Sequence, residues 1–234
     1  MTSFREPPNM PTTWSYSKWE MWSMCPLRYK LTHVDKGRPF ERSPAMERGD
    51  KIHKDIAAHL QPAPESPAPP LPADVVGYAR QLMGEIRAIP GRIIEQKWAY
   101  DAEWRPVGYF ANNTWLRNIL DVGLPYDDGT FETVDWKTGK QYDTNADQME
   151  CFAVTIMGRF HETGAREVKT RLVYIDAETQ EVETYHYRDF ANLSAKWTAN
   201  ANKMLADRVW LPKPNAKCKW CPFSRSKGGP CRYG

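Results

Sequence analysis

The chain has 234 residues, 41% hydrophobic and 12% aromatic, which is enough to bury one sizeable core. Its 32 Lys and Arg against 29 Asp and Glu leave a net charge of +3, so it lacks the strongly basic balance of a general nucleic-acid binder, and any DNA track must be local. No apolar run reaches membrane-spanning length and no charged-then-apolar leader opens the chain, so a soluble, cytoplasmic protein is expected.

The first dozen residues carry no periodic pattern. Ser17 with Glu20 three residues on predicts a capping box for a short helix bearing Trp19 and Trp22, which Cys25-Pro26 interrupts. Ser43-Pro44 predicts the start of a helix that runs to about Leu60, with Met46, Gly49, His53, Ile56 and Leu60 on one face. Residues 61–72 are proline-dense without hydrophobic periodicity and read as a semi-rigid exposed linker. Helical spacing resumes from Val75 through Leu82, Ile86 and Ile89 and stops before Pro90-Gly91. Strand-like runs follow at 92–100, 115–122 and 130–137, then a helix over 145–160, strands near 169–175 and 182–187, and a last helix over 190–209.

The chemistry gathers on one strand pair. If Asp127, Asp128 and Gly129 form a three-residue hairpin loop with Gly129 left-handed, the register sets Asp121 directly opposite Asp135 on a shared face. Opposed residues sit roughly 4.5–5.5 Å apart at Cβ, and two carboxylates so placed repel unless a cation neutralises them. Lys137 alternates onto the face of Asp135, so Val134-Asp135-Trp136-Lys137-Thr138-Gly139 brings an ammonium to the acids. That is the inventory of a metal-dependent phosphodiesterase. Asp127 and Asp128 read as turn formers. By spacing alone His53 is an ordinary core histidine, and His33, His59, His161 and His186 have no setting that marks them out.

With His53, Asp121, Asp135-Trp136-Lys137 and Gln148 in this order, the chain resembles the PD-(D/E)XK nuclease superfamily and, within it, the RecB-like exonucleases. Their order is a helical histidine, an acid ending one strand, an acid-x-Lys on the next, and a Gln-x-x-x-Tyr on the following helix. Phe152 stands at the tyrosine position, keeping the ring and losing the hydroxyl. Ser15-Tyr16-Ser17 through Cys25-Pro26 resembles the family's opening, and Gly49-x-x-x-His53 its histidine motif.

The resemblance implies an α/β fold, a mixed central sheet flanked by helices. It implies one nuclease domain over 1–234: a helical part at 13–60, the linker at 61–72, a catalytic core at 90–190 and a cysteine-rich tail at 210–234. His53, Asp121, Asp135 and the main-chain carbonyl of Trp136 are implied to hold one or two Mg or Mn ions, which suit hard oxygen donors. Glu95 on the first strand would reach them directly or through water, although it reads equally well as an exposed strand glutamate. Lys137 would orient or help deprotonate the attacking water, and Gln148 would order the lysine.

Of five cysteines, Cys218, Cys221 and Cys231 crowd into the Pro- and Gly-rich tail, and Cys25 lies near the other end. Four thiolates can hold a zinc ion or an iron-sulfur cluster in place of a core, and the residues alone do not separate the two. A thioredoxin-like redox pair lacks its strand-then-helix setting, and disulfides lack any sign of secretion. RecB-like exonucleases with an iron-sulfur staple, including the CRISPR-associated ones and the AddB nuclease subunits, carry one N-terminal and three C-terminal cysteines around a 4Fe-4S cluster. Cys25, Cys218, Cys221 and Cys231 match that pattern, and Cys151 is left as a small buried hydrophobe.

Phe152, Trp220, Arg225 and Lys227, with Trp19, Trp22 and Arg232, are candidates for a single-stranded DNA surface of rings and cations. Tryptophans at helical spacing otherwise belong to a core. The resemblance implies a DNA exonuclease acting on single-stranded ends, with protein partners in recombination, repair or CRISPR adaptation. A zinc-stapled, catalytically silent DNA-binding module and a scaffold subunit of a larger complex are the alternatives.

Overall fold

The computed structural model describes residues 11–36, 43–139, 145–160, 162 and 164–234; His161 lies outside them. The chain divides into two compact units, one of residues 42–195 and one of residues 1–41 with 196–234. Among the described residues no helix is long and apolar enough to cross a membrane.

The unit over 42–195 is built on a six-stranded sheet. Strands β1 (Ile93–Tyr100), β2 (Pro106–Val107), β3 (Leu116–Pro125), β4 (Thr130–Lys137), β5 (Glu167–Tyr174) and β6 (Thr179–His186) lie in the order β2-β1-β3-β4-β5-β6. Neighbours are antiparallel except β4 and β5, which run parallel because helix α5 (Asn145–Phe160) crosses between them. This is the α/β mixed sheet that the sequence predicted, with the two-residue β2 added at its edge. A strand of two residues is too short to leave an alternation pattern.

Alternation along β5 sorts the layers. Val173 and Ile175 join Val122, Leu124, Val134 and Trp136 in a core against Ile52, Ile56 and Leu60 of α3 (Pro44–Leu60) and Leu82, Met83 and Ile86 of α4 (Gly77–Ala88). Leu172 and Tyr174 face the other way, against Met149 of α5. Helix α3 starts where the sequence predicted, with the Ser43 side chain accepting from Met46 N and Pro44 in the first turn. Its buried stripe differs from the predicted face: Gly49, Ile56 and Leu60 are buried as expected, Ile52 joins them, Met46 is exposed, and His53 is half-buried at the edge of the stripe.

The β3–β4 connection is the expected three-residue loop. Tyr126 N donates to Thr130 O at 2.9 Å, Gly129 takes φ +85°, and Asp128 Oδ1 accepts from Thr130 N at 2.8 Å. An L side chain at such a φ is strained, so glycine is required.

The proline-rich stretch is tied down by arginines. Arg92 donates to Leu60 O at 2.9 Å, to Ile89 O at 3.2 Å and to Pro62 O, and Arg87 donates to Ala63 O at 3.3 Å and to Ser66 O. The two guanidinium groups thus satisfy carbonyls that proline, lacking N–H groups, leaves without a local donor. Arg92→Ala is expected to cost about 1–3 kcal/mol and to expose 61–72 to protease; a urea midpoint equal to that of the parent protein would show the ties to be idle.

In the other unit, α1 (Tyr16–Met24) is capped by Ser15, which accepts from Lys18 N, and not by Ser17 as the sequence predicted. The cap moves because Trp14, just before it, is fully buried and stacks on Trp197 of α6 (Phe190–Ala206) at 6.0 Å, while Trp19 meets the same indole edge-on at 4.8 Å. Rings just before the cap and in the second turn packing together fix the entry of the chain into a helix. Pro26 opens α2 (Pro26–Tyr29), and a π-helical turn at Lys30–Val34 follows. Helix α6 ends at Ala206 rather than near 209, because the Asp207 carboxylate accepts from Val209 N at 2.9 Å, Trp210 N at 3.0 Å and Trp22 Nε1 at 2.8 Å and turns the chain away.

Candidate active site

Strands β3 and β4 pair from Pro125↔Phe131 to Val122↔Val134, and there their ladder stops. One step further the same register would set Asp121 against Asp135. Instead the strands part, and Asp121 Oδ2 accepts from Trp136 N at 3.2 Å in place of a ladder bond. Backbone amides alternate along a strand, and Lys137 O accepts from Ile175 N on the β5 side. The N–H and C=O of Trp136 therefore both point into the fork.

The single shared face expected for Asp121 and Asp135 is corrected here. Asp135 turns to the α5 layer, where Gln148 Nε2 donates to its Oδ1 at 3.1 Å. Asp121 turns to the α3 layer, its Oδ2 3.1 Å from His53 Nδ1. The reason lies in β1. Glu95 falls across from Asp121, between Ile94↔Val122 and Gln96↔Leu120, makes no ladder pair and has φ +50°. A non-glycine residue in that conformation costs roughly 1–3 kcal/mol, and it lets the β1–β3 ribbon roll over at this position without losing register.

Lys137 does share a face with Asp135, as predicted. Its Nζ lies 2.7 Å from Asp135 Oδ2 and donates to Gln148 Oε1 at 2.8 Å, so Gln148 clasps acid and ammonium together. Gly49 lies where an added Cβ would come 3.0 Å from Thr138 Oγ1, so glycine there allows the close approach of α3 to the end of β4. A cleft of about 880 Å³ opens over the site, lined by Gly49, His53, Glu95, Ile119, Asp121 and Thr138. Thr138 and Ile119 had no signal of their own in the sequence beyond their places beside Lys137 and Asp121.

The charges are poorly matched to their burial. Burial lifts the Asp135 carboxyl above the ordinary range, with Lys137 pulling it down and the charge of Asp121 adding to the rise. Burial, then the charge of Asp121, also raises Glu95. At His53 burial opposes the proton, but the hydrogen bond and charge of Asp121, with Asp135 behind it, outweigh burial and raise the imidazole to about 9. The site calls for positive charge.

Among the described residues, one ligand atom each of His53, Glu95 and Asp121 come within 4.8 Å of one another. Asp135 stands outside this trio, its buried Oδ2 held by Lys137 Nζ at 2.7 Å. A carboxylate-rich donor set with one imidazole fits a hard divalent cation such as Mg or Mn. Glu95, which by sequence alone could have been a surface residue, lies with His53 and Asp121 in a group able to hold a metal ion.

Phe152 is corrected: it is buried on the inner side of α5 and offers no ring to a nucleic acid. Cys151 is buried too, its thiol pushed up by burial. Trp220 is 64% exposed with Lys219 Nζ 4.0 Å over its ring, and Arg225 and Lys227 are exposed; Trp19 packs on Trp197, and Trp22 donates to Asp207. Cys25, Cys218, Cys221 and Cys231 all line one pocket with Met24, Leu27 and Phe223, and all are free thiols. Lys213 N approaches Cys25 Sγ at 3.5 Å and Asn215 N approaches Cys218 Sγ at 3.3 Å. Among the described residues no three of these sulfurs come within 4.8 Å of one another.

Residues 13–226 match the profile of the PD-(D/E)XK nuclease superfamily. No curated protein matches the chain. The chain is similar to the solved structure titled "Crystal structure of SSO0001", at 15% identity over 94% of this chain and 86% of that one with a TM-score of 0.47. It is similar also to Scheffersomyces stipitis Rai1 in complex with (3'-NADP)+ and calcium ion, at 12% identity over 83% of this chain and 60% of that one with a TM-score of 0.27. Neither likeness is close enough to carry an argument.

Proposed function

Because the chain belongs to the PD-(D/E)XK nuclease superfamily, we propose that it is a Mg- or Mn-dependent deoxyribonuclease of the RecB-like exonuclease kind, acting on single-stranded ends. The observation that carries this reading is the fork, where Asp121, Glu95 and His53 gather beside Asp135, Lys137 and Gln148. His53, Glu95, Asp121, Asp135 and the Trp136 carbonyl would hold the cation. When bound, it supplies a water of lowered pKa and offsets charge on the phosphorane and the leaving 3′ oxygen. Lys137, steadied by Gln148 and Asp135, orients the attacking water and stabilises the negative charge that builds on the phosphate. His53 holds Asp121 in place. The product is DNA with a 5′ phosphate. End-labelled single- and double-stranded DNA incubated with Mg, Mn or EDTA tests the reading: cleavage with metal and none with EDTA is expected, and no cleavage with either metal rejects it.

The thiols of Cys25, Cys218, Cys221 and Cys231 are assigned a structural 4Fe-4S cluster. All four line one pocket, which supports a single shared centre, and the choice of a cluster over zinc rests on the likeness of the cysteine pattern to the iron-sulfur exonucleases. A DNA-processing complex in recombination, repair or CRISPR adaptation belongs to the same proposal.

A further inference from the structure

Along the cleft side of the sheet, beyond the acids, the strands carry cations and rings. On β3, Ile119 follows Asp121 at the next alternate position and lines the same cleft, and Arg117 is the next one out. Lys97 on β1 lies directly opposite Ile119, and Ile119 is 43% exposed. Above Arg117 the segment after β2 presents Tyr109 and Phe110, edge to face at 5.1 Å and 85°. The Arg117 guanidinium lies 5.4 Å from each ring centroid and donates to Tyr109 O at 2.9 Å, while Lys97 Nζ is 5.8 Å from the Tyr109 ring.

This corner is built. Thr114, buried, donates its hydroxyl to Gly108 O at 2.9 Å, Ala111 N donates to Gly108 O at 3.0 Å, and Trp115 N donates to Tyr100 O at 2.8 Å. The loop is therefore pinned at both ends, yet it holds Phe110 80% exposed. Among the described residues neither Lys97 nor Arg117 has an ion-pair partner, so two cations flank an open ring with no carboxylate set against them. From Asp121 to Arg117 is four residues of strand, about 13 Å, a reach of a few nucleotides.

We propose that Tyr109, Phe110, Arg117 and Lys97 form a base-stacking platform that holds single-stranded DNA a few nucleotides from the phosphate being cut. The platform rests on the nuclease reading for its distance from the chemistry, and its occupant follows from its own composition. A stacked duplex hides its base faces, so a ring held out in this way serves an unpaired base, with the flanking cations meeting phosphates. A protein partner would leave the two cations unmatched unless it were acidic.

The test is binding of a fluorescent single-stranded oligonucleotide to the full chain in EDTA, beside cleavage of single-stranded and blunt duplex DNA with Mg or Mn. Phe110→Ala is expected to weaken single-strand binding about 10-fold and to raise KM on single strands more than it lowers kcat, with an unchanged melting midpoint. Phe110→Trp is expected to restore binding, its fluorescence quenched as the base stacks. Parental affinity in Phe110→Ala rejects the platform even in an active nuclease, as does equal loss on single strands and blunt duplex. Weakened binding by Phe110→Ala in a chain that cuts no DNA supports the platform and rejects the nuclease reading instead. Change in self-association without change in DNA binding makes the corner a protein contact and also overturns the proposal.

Discussion

Asp135→Asn is expected to lower metal-dependent DNA cleavage at least ~100-fold, the scale at which single preorganised electrostatic groups contribute. The side chain keeps its shape and its contact with Gln148 but loses the charge that faces the fork. Lys137→Met is expected to be comparably inactive and less stable as well, since it strands a buried Asp135 beside Asp121. Breaking a fully buried pair costs about 3–5 kcal/mol. The Lys137 side chain is 25% exposed, so about 1–3 kcal/mol is the expectation here. The double variant Asp135→Asn with Lys137→Met separates the two effects: stability returns because no charge is left unpaired, and activity does not. Parental cleavage by Asp135→Asn, measured on end-labelled DNA with Mg and with Mn, would sink the assignment of the site.

Cys25→Ser is expected to abolish absorbance near ~400 nm and the iron content of the purified protein, and to make the tail sensitive to protease. The tail over 210–234 has few buried anchors, Trp210, Phe223 and Ser224 among them. On the proposed reading, a centre held by the thiols adds to these anchors. For structural metal centres that binding is on the order of 10 kcal/mol. Cys218→Ser should behave like Cys25→Ser, because both sulfurs line the same pocket, whereas Cys151→Ser should keep the colour. A colourless parental protein carrying one zinc would replace the cluster with zinc. A metal-free protein with a protease-resistant tail would remove the staple altogether.

Much of the sheet was legible from local pattern. Strand β4 and helix α5 fall at 130–137 and 145–160 as predicted, and the left-handed Gly129 loop is where an Asp-Asp-Gly triplet between apolar strands puts it. The errors share a cause. Ser15 displaced Ser17 as the cap because Trp14 is buried against Trp197, a contact between residues 183 positions apart in the chain. Helix α6 stopped early because Asp207 found donors at Val209, Trp210 and Trp22. Phe152 reads as an aromatic ring in sequence, and only packing shows that the ring is buried.

The composition of the site was set by the sequence itself. Strand and turn signals place Asp121, Asp135 and Lys137 so that their types imply cation-assisted chemistry, and the family resemblance added His53 and Gln148. Their meeting was decided by tertiary structure. Alternation assigns a side chain to one face only while a ladder continues, and here β3 parts from β4 after Val122↔Val134 while Glu95 turns left-handed in β1. The acids therefore converge from two layers, Asp121 with His53 of α3 and Asp135 with Gln148 of α5, across a fork that no local periodicity encodes.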